Sequence, residues 1–222
     1  MTISENIRGI ERRVARACER AGRSPDEVTM VAVTKTLAPE TIEAAYGVGL
    51  RDFGENRVQE AKPKIEHLAS LCPDITWHMV GHLQSNKAKT AIELFDIIHS
   101  VDSLRLAERL NSASPGRLPV LVEVNVACEE TKCGVMPQDV GEMVRQIARL
   151  PNLDIRGLMT VAPLVSDPEE VRPVFRQLRE MRDALGLEHL SMGMTDDYEV
   201  AIEEGATIVR IGRAIFGERK YG

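Results

Sequence analysis

The chain has 222 residues, of which 28 are Lys or Arg and 34 are Asp or Glu, so its net charge is −6. An acidic chain is unsuited to binding nucleic acid or an acidic membrane surface, because both attract basic proteins. With 4% aromatic residues, the chain also offers few side chains on which nucleic-acid bases could stack. No stretch approaches the ~20 apolar residues of a membrane helix, and the first residues lack the apolar core of a signal peptide. The four cysteines form no CxxC pair, which favours free thiols in a reducing compartment. We therefore expect a cytoplasmic protein.

Strand and helix patterns alternate along the chain after an initial helix. Thr2-x-x-Glu5 is a capping box, and apolar residues at helical spacing follow it until Gly22, which ends the helix. Short apolar segments predict strands at 28–34, 52–54, 76–80, 97–100, 120–126, 155–160, 189–191 and 207–211. Helical periodicity predicts helices at 39–48, 57–70, 87–94, 104–111, 137–150, 168–185 and 195–204. No linker or repeat divides the chain, so we expect one domain spanning residues 1–222.

Eight short strands that alternate with helices predict a parallel sheet in an α/β fold. Such a sheet either stays open, as in nucleotide-binding folds, or closes into a barrel. An open nucleotide-binding sheet should carry a glycine fingerprint after its first strand, but that strand ends in Thr34-Lys35-Thr36, without glycine. We therefore predict a (β/α)8 TIM barrel with an extra N-terminal helix.

Lys35 follows the apolar run Val31-Ala32-Val33-Thr34, where an unpaired charge is costly. Taken alone, the residue has two interpretations: the first solvated residue of a loop, or an amine that bonds an aldehyde as a Schiff base. Barrel closure favours the second, because the first and eighth strands become neighbours and Lys35 then faces Arg210 across one strand spacing. A neighbouring guanidinium favours the neutral amine that imine formation requires, although a plain salt-bridge role for Arg210 stays open.

The ends of the seventh and eighth strands have the composition of a phosphate site. The seventh strand ends in Ser191-Met192-Gly193-Met194-Thr195 before a predicted helix, and the eighth ends at Gly212 before another helical turn. Backbone N–H groups at helix N-termini bind phosphate, and barrels often place such a site after strands seven and eight. We expect Asp196 and Asp197 to be helix caps rather than acids or metal ligands.

Other polar residues near predicted strand ends give weaker indications. His78 and His82 have the i, i+4 spacing of a zinc pair, but Gly81 and the strand context argue against a helix there. Cys128 and Cys133 are expected to be structural thiols. No Ser-His-Asp or Cys-His arrangement is recognisable.

A lysine and an arginine beside a phosphate site suit a phosphorylated aldehyde, and pyridoxal 5′-phosphate has the required groups. Its aldehyde would bond Lys35, its phosphate would take the helix N-termini, and a third group would face the pyridine nitrogen. Arg210 in that position, unlike a carboxylate, accepts no proton, which leaves the nitrogen neutral and makes the cofactor a weaker electron sink.

An ordered series of motifs across nearly the whole chain resembles the pyridoxal phosphate homeostasis proteins, which are small single-domain relatives of the alanine racemase barrel. The motifs that carry the resemblance are Val31-Ala32-Val33-Thr34-Lys35, Phe53-Gly54-Glu55-Asn56, Trp77-His78-Met79-Val80-Gly81-His82-Leu83-Gln84-Ser85-Asn86-Lys87, Gly157-Leu158-Met159, Leu190-Ser191-Met192-Gly193-Met194 and Val209-Arg210-Ile211-Gly212-Arg213-Ala214-Ile215-Phe216-Gly217.

The resemblance implies a role for each matching residue. Lys35 would form the Schiff base and Arg210 would face the pyridine nitrogen, while Arg213 would bind phosphate through its backbone N–H. The implied cofactor-binding set is Lys35, Asn56, Met159, Ser191, Gly193, Arg210, Gly212 and Arg213. The implied function is a carrier or reservoir that holds pyridoxal 5′-phosphate and supplies apo-enzymes, without a robust reaction of its own.

Two positions depart from the family pattern. Thr195 stands where many relatives have serine, which keeps a hydroxyl group. Arg213 stands where a small hydroxyl residue is usual, so one phosphate hydrogen bond is either lost or replaced by a charged contact.

An amino-acid racemase of the same barrel class is the main alternative. A racemase needs bases on both faces of its bound substrate, and larger racemases take one tyrosine from an added domain across a dimer. This chain has Tyr46 and Tyr198 in predicted helices and Tyr221 near its end, so a second base is not evident. The carrier interpretation is therefore favoured, with a monomer as the expected state. A barrel for another phosphorylated metabolite, with Lys35 merely structural, is a third interpretation.

Overall fold

The computed structural model describes residues 2–218, in which parallel strands close into a barrel ordered β1 to β8, with β8 paired back to β1. The strands are β1 Thr29–Val33, β2 Asp52–Glu55, β3 Thr76–Met79, β4 Ile97–Val101, β5 Leu118–Glu123, β6 Leu153–Met159, β7 His189–Ser191 and β8 Ile208–Ile211. The α-helices are α1 Ile3–Arg20, α2 Pro39–Gly47, α3 Val58–Leu68, α4 Ala88–Leu94, α5 Leu104–Ala113, α6 Val140–Ile147, α7 Arg172–Ala184, α8 Tyr198–Glu203 and α9 Arg213–Phe216. The predicted (β/α)8 barrel is confirmed.

The extra N-terminal helix α1 forms as its sequence predicts. The Thr2 hydroxyl accepts the N–H of Glu5 and the Glu5 carboxylate accepts the N–H of Thr2, which completes the capping box. Gly22 adopts φ +66° just beyond the helix, a left-handed conformation that glycine reaches without steric cost. The helix packs against α8 and α9, and Arg20 pairs with Glu203 at 2.6 Å. None of the helices within residues 2–218 is both long and apolar enough to cross a bilayer.

Most predicted element ends differ from the structure by a few residues, including the ends of β1 and β5 and the start of α8. β1 ends at Val33 instead of residue 34, and Lys35 lies in the turn that follows. β5 ends at Glu123 instead of residue 126, because the chain then turns and the Asn125 side chain bonds the backbone of Glu129. The helix predicted from residue 195 begins only at Tyr198, after a loop.

The space inside the barrel holds a separate group of apolar side chains. This interior apolar cluster consists of Val31, Val80, Leu121, Met159 and Ile208, with Val33 and Val161 packed against it. Alternate side chains of a strand point to opposite faces, so the neighbours of these residues along each strand pack outward against the helices. The register Val31 to Arg210 between β1 and β8 places an arginine beside this cluster.

Candidate functional site

A cleft of about 360 Å³ opens where β1, β7 and β8 end. Its polar lining includes the side chains of Lys35, Thr195 and Arg210, together with Gly212 and Arg213 at the start of α9. The structure thus brings Lys35 and Arg210 into one cleft, but the β1–β8 register pairs Arg210 with Val31, so Lys35 does not face Arg210 across one strand spacing as expected. Barrel active sites occupy this carboxyl end of the strands, and the volume is within the range of small-molecule sites.

The backbone that precedes Lys35 is held by a buried ion pair. Lys64 Nζ lies 2.7 Å from Glu55 Oε1 and donates to the Thr34 carbonyl at 2.9 Å. The Thr34 hydroxyl donates to the same Glu55 oxygen at 2.7 Å. All three residues are buried, and breaking a buried pair leaves an uncompensated charge. This cluster therefore fixes the end of β1 and the point from which Lys35 projects.

The Arg210 guanidinium is buried and held from one side. Nη1 donates to the Ser191 carbonyl at 2.8 Å and to the Ser191 hydroxyl at 2.6 Å, and Nη2 donates to the Thr160 carbonyl at 2.8 Å. Burial lowers the pKa of Arg210 to about 10, so the group remains cationic at neutral pH. These bonds use three of its five N–H donors.

The loop after β7 and the start of α9 form the other wall of the cleft. Gly193 has φ +90°, and a Cβ there would lie 2.6 Å from the Cβ of Ala201, so only glycine fits. The Gly193 carbonyl accepts the N–H of Arg210 at 3.0 Å. The Thr195 hydroxyl accepts the N–H of Ala214 at 3.4 Å, which ties this loop to α9.

Arg213 and the two neighbouring aspartates form their own contacts at the cleft edge. The Arg213 guanidinium donates to both oxygens of Asp196 at 2.6 Å, so its side chain is engaged by a carboxylate at the cleft edge. Asp197 stands at the N-cap position of α8 but makes no capping bond, because its carboxylate accepts the N–H of Met194 at 2.6 Å. The prediction of helix caps is therefore right in position for Asp197, which makes no capping bond, and wrong for Asp196.

Besides Gly193, three residues of the expected cofactor-binding set do not line this cleft. The Ser191 side chain is fully buried inside the barrel, bonded to Arg210 and also 2.9 Å from His99 Nδ1. Met159 belongs to the interior apolar cluster and is 1% exposed. Asn56 follows β2 and lines a separate groove of about 430 Å³ with Gly81. Ser191 thus supports Arg210 from inside the barrel.

Sequence reasoning missed Thr160 among the residues that surround Arg210, and it gave no role to His99. Thr160 follows β6 and offers its carbonyl, which no side-chain pattern reveals. His99 lies within β4 and is fully buried. A polar residue at an inward position of a short strand was the available signal for His99, because such a group needs a buried partner.

Comparisons with known proteins place the chain among characterised families. The model of the alanine racemase N-terminal domain matches residues 6–220. A pyridoxal phosphate homeostasis protein of Aquifex aeolicus is 47% identical over 230 residues, and the alignment covers all of both chains. The protein of that name in Escherichia coli K12 is 41% identical, with 99% of this chain and 97% of the relative covered.

Solved structures give a consistent picture. PipY of Synechococcus elongatus PCC7942, a structure with pyridoxal phosphate bound, is 37% identical and superposes with a TM-score of 0.85. That match covers 97% of this chain and all of PipY. Alanine racemase of Corynebacterium glutamicum is 17% identical, with a TM-score of 0.70, and the match covers 95% of this chain and 61% of the racemase. The racemase comparison shows a shared fold.

Proposed function

The chain belongs to the pyridoxal phosphate homeostasis protein family, built on the alanine racemase N-terminal domain fold, and we propose that it binds pyridoxal 5′-phosphate on Lys35. The observation that carries the proposal is the cleft that contains both Lys35 and Arg210. The pyridoxal phosphate held by PipY, a relative of similar length and fold, supports the same ligand for this chain.

The donor set of the cleft fits this cofactor. When bound, pyridoxal phosphate supplies an aldehyde that condenses with a lysine amine to a Schiff base. Lys35 offers that amine, and Arg210 offers N–H donors with no capacity to accept a proton, which suits a neutral pyridine nitrogen. The Thr195 hydroxyl and the N–H groups of Gly212 and Arg213 would hold the phosphate, since early N–H groups of a helical turn lack partners within it. Gly193 shapes the loop that brings Thr195 there.

We extend the proposal to the remaining members of the cofactor set. Met159 would support the ring from below, and Ser191 would hold Arg210. Asn56 would act only from the edge of the neighbouring groove. Exchange of Asn56 for alanine should therefore weaken binding less than exchange of Arg210 for glutamine, and a spectral titration of both variants measures the difference.

The proposed role is that of a single-domain carrier without robust catalysis. Of the tyrosines that the structure describes, Tyr46 bonds Asp74, and Tyr198 is buried in α8, where burial raises its pKa to about 12. Neither lines the cleft. Tyr221, the third tyrosine considered as a second base, lies outside the described residues. These placements favour binding over racemisation.

Spectral titration with pyridoxal phosphate tests the proposal. We expect a visible absorbance band in the wild-type chain, its loss in Lys35→Ala, and its retention in Lys132→Ala, a variant at an exposed lysine. An unchanged band in Lys35→Ala would rule out Lys35 as the bonding amine. Incubation with L-alanine should leave the optical rotation nearly constant, and a rapid loss of rotation would favour a racemase.

The carrier role has its own test. The loaded chain, added to a cofactor-depleted transaminase, should restore its activity, and the absence of restoration would contradict supply of apo-enzymes. We propose a cytoplasmic monomer, for which light scattering should give a mass near 24.6 kDa with and without cofactor.

A further inference from the structure

A continuous line of hydrogen bonds runs from Arg210 through the barrel to its opposite end. Arg210 Nη1 lies 2.6 Å from Ser191 Oγ, and that oxygen lies 2.9 Å from His99 Nδ1. The other nitrogen of His99, Nε2, lies 2.9 Å from His78 Nδ1. His78 Nε2 then lies 3.0 Å from Asp52 Oδ1. We name these five residues the interior relay.

The interior relay spans the barrel from one end to the other. Asp52 is the first residue of β2, at the amino end of the strands, whereas Arg210 lines the cleft at their carboxyl end. The Asp52 side chain is 32% exposed, while Arg210 and the three residues between are at most 4% exposed. One end of the line therefore meets solvent and the other meets the cofactor cleft.

Because Asp52 can only accept hydrogen bonds and Arg210 can only donate them, the two ends of the relay determine which group donates in every bond between them. The Asp52 carboxylate can only accept, so His78 Nε2 carries a proton, and when the ring holds that proton alone, its Nδ1 is an acceptor. His99 Nε2 must then donate to His78, which makes His99 Nδ1 the acceptor for the Ser191 hydroxyl. Ser191 Oγ is left to accept from Arg210, which can only donate. Every bond thus points from Arg210 toward Asp52.

Burial supports a neutral ring at the centre of the line. The pKa of His99 lies well below its ordinary range, first because the ring is buried and then because His78 and Arg210 lie close by. A neutral His99 needs one donor and one acceptor, and His78 and Ser191 supply one of each. The line is therefore fully satisfied with a cation at one end and an anion at the other.

We propose that Asp52 is a remote positioning residue that holds the Arg210 guanidinium in the orientation required for cofactor binding, acting through His78, His99 and Ser191. The carboxylate fixes the tautomers of both rings, and the rings make Ser191 Oγ an obligate acceptor for Arg210. The remaining guanidinium donors are thereby left facing the cleft. This inference rests on the proposed function, because the orientation of Arg210 matters for a ligand in that cleft.

The test compares Asp52→Asn with Asp154→Asn. Asparagine has nearly the same shape and volume as aspartate but presents a donor as well as an acceptor. It therefore no longer dictates that His78 Nε2 is the donor, and the donor and acceptor roles along the relay are no longer fixed. Asp154 provides a matched control: it lies near the amino end of β6, its side chain is 30% exposed, and it pairs with Arg117 and Arg156. Both variants remove one negative charge.

The first measurement is the nitrogen-15 NMR spectrum of the histidine rings in the cofactor-free chain at pH 8, above the ordinary histidine pKa of about 6.5. We expect His78 and His99 each to carry one proton, on Nε2, in the wild type and in Asp154→Asn. Asp52→Asn should mix the two tautomers at both rings. A doubly protonated His78 in the wild type, or an unchanged His99 in Asp52→Asn, would overturn the relay.

The second measurement is the affinity for pyridoxal phosphate. Asp52→Asn should weaken binding by about 10-fold, the size of one lost hydrogen bond to a charged group, while Asp154→Asn should match the wild type. Equal affinities for the two variants would show that Asp52 does not position Arg210. If the wild type itself bound no pyridoxal phosphate, the proposed function would fail, and the tautomers of the cofactor-free chain would still decide the relay.

Discussion

The barrel interior has two unlike parts, the interior apolar cluster and the interior relay. Val31, Leu121 and their neighbours fill space by dispersion contacts, which depend on total volume and shape. The relay fills a similar space with polar groups, each of which depends on a specific hydrogen-bond partner. The first part tolerates exchanges that keep volume, while the second tolerates none that remove a partner.

The contrast explains where the candidate site lies. The cleft opens beside Arg210, at the end of the relay, and Val33 joins the cleft to the apolar cluster. Packing alone would give a filled barrel without a group that can recognise a ring nitrogen or a phosphate. The polar part supplies an oriented cation there, and the apolar part supplies a firm base for it.

Truncation in the apolar part should have the largest effect on stability. Leu121 is fully buried, so Leu121→Ala should lower the free energy of unfolding by about 2–5 kcal/mol through lost contacts and a residual cavity. Urea unfolding measures the loss, with Leu164→Ala as the control at a side chain that is 93% exposed. Affinity for pyridoxal phosphate per folded molecule should stay constant. A fall in the affinity per folded molecule would contradict the division of the interior into two parts.

Truncation in the relay should lower the free energy of unfolding less than Leu121→Ala does, and it should weaken the binding of pyridoxal phosphate more. Ser191→Ala leaves His99 Nδ1 without its donor, and an unsatisfied buried group costs about 1–3 kcal/mol of unfolding free energy. It also removes one of the acceptors that hold Arg210, so the affinity for pyridoxal phosphate should fall. Ser112→Ala, at an exposed helical serine, is the control. Unchanged affinity in Ser191→Ala would separate the relay from the cleft.

A third prediction concerns Glu123, which ends β5 and has a carboxylate oxygen without a hydrogen-bond partner among residues 2–218. Burial, and next the nearby Asp102, raise the pKa of Glu123 above 4.5. As the pH rises above 4.5, Glu123 therefore ionises in the unfolded chain before it ionises in the folded one. The contribution of this residue to the free energy of unfolding is present at lower pH and is lost at higher pH.

Glu123→Gln should remove that loss. As the pH rises from 4.5 towards neutrality, the free energy of unfolding of this variant should fall less than that of the wild type. The difference between the two should be smaller than the loss of stability in Leu121→Ala or in Ser191→Ala. Glu180→Gln, at an exposed glutamate, should follow the wild type. A steeper fall in Glu123→Gln would give the opposite sign and contradict the burial argument.

The smallest effect is expected at the cleft edge. Arg213 and Asp196 are both about half exposed, and exposed ion pairs contribute about 0.2–1 kcal/mol, so Arg213→Thr should barely change the unfolding midpoint. Because Asp196 already balances this guanidinium, pyridoxal phosphate affinity should change less in Arg213→Thr than in Ser191→Ala. An effect larger than that of Ser191→Ala would show that the Arg213 side chain contacts the phosphate.

The sequence predicted the features that follow from period and closure. Strand alternation, together with the adjacency of β1 and β8, was enough to bring Lys35 and Arg210 to one cleft, and the lack of glycine after β1 was enough to choose a barrel. These arguments use only which strands are neighbours and which face a residue occupies. They do not depend on side-chain orientation.

The features that the sequence did not predict depend on register and rotamers. The orientation of the Ser191 hydroxyl depends on Arg210, which is 19 residues away in the chain, and on His99, which is 92 residues away. The pairing between β4 and β5 is irregular next to His99, so simple alternation is unreliable there. Arg213 could have faced a phosphate from its position, and only the placement of Asp196 shows that it pairs instead.

Reduction with borohydride tests the central claim most directly. A Schiff base between pyridoxal phosphate and a lysine becomes a stable secondary amine on reduction, and peptide mass mapping then identifies the modified residue. We predict one modified site, Lys35, with loss of the visible band as the adduct is trapped. Modification at an exposed lysine such as Lys132 in place of Lys35, or no modification at all, would contradict the assignment of this cleft as the cofactor site.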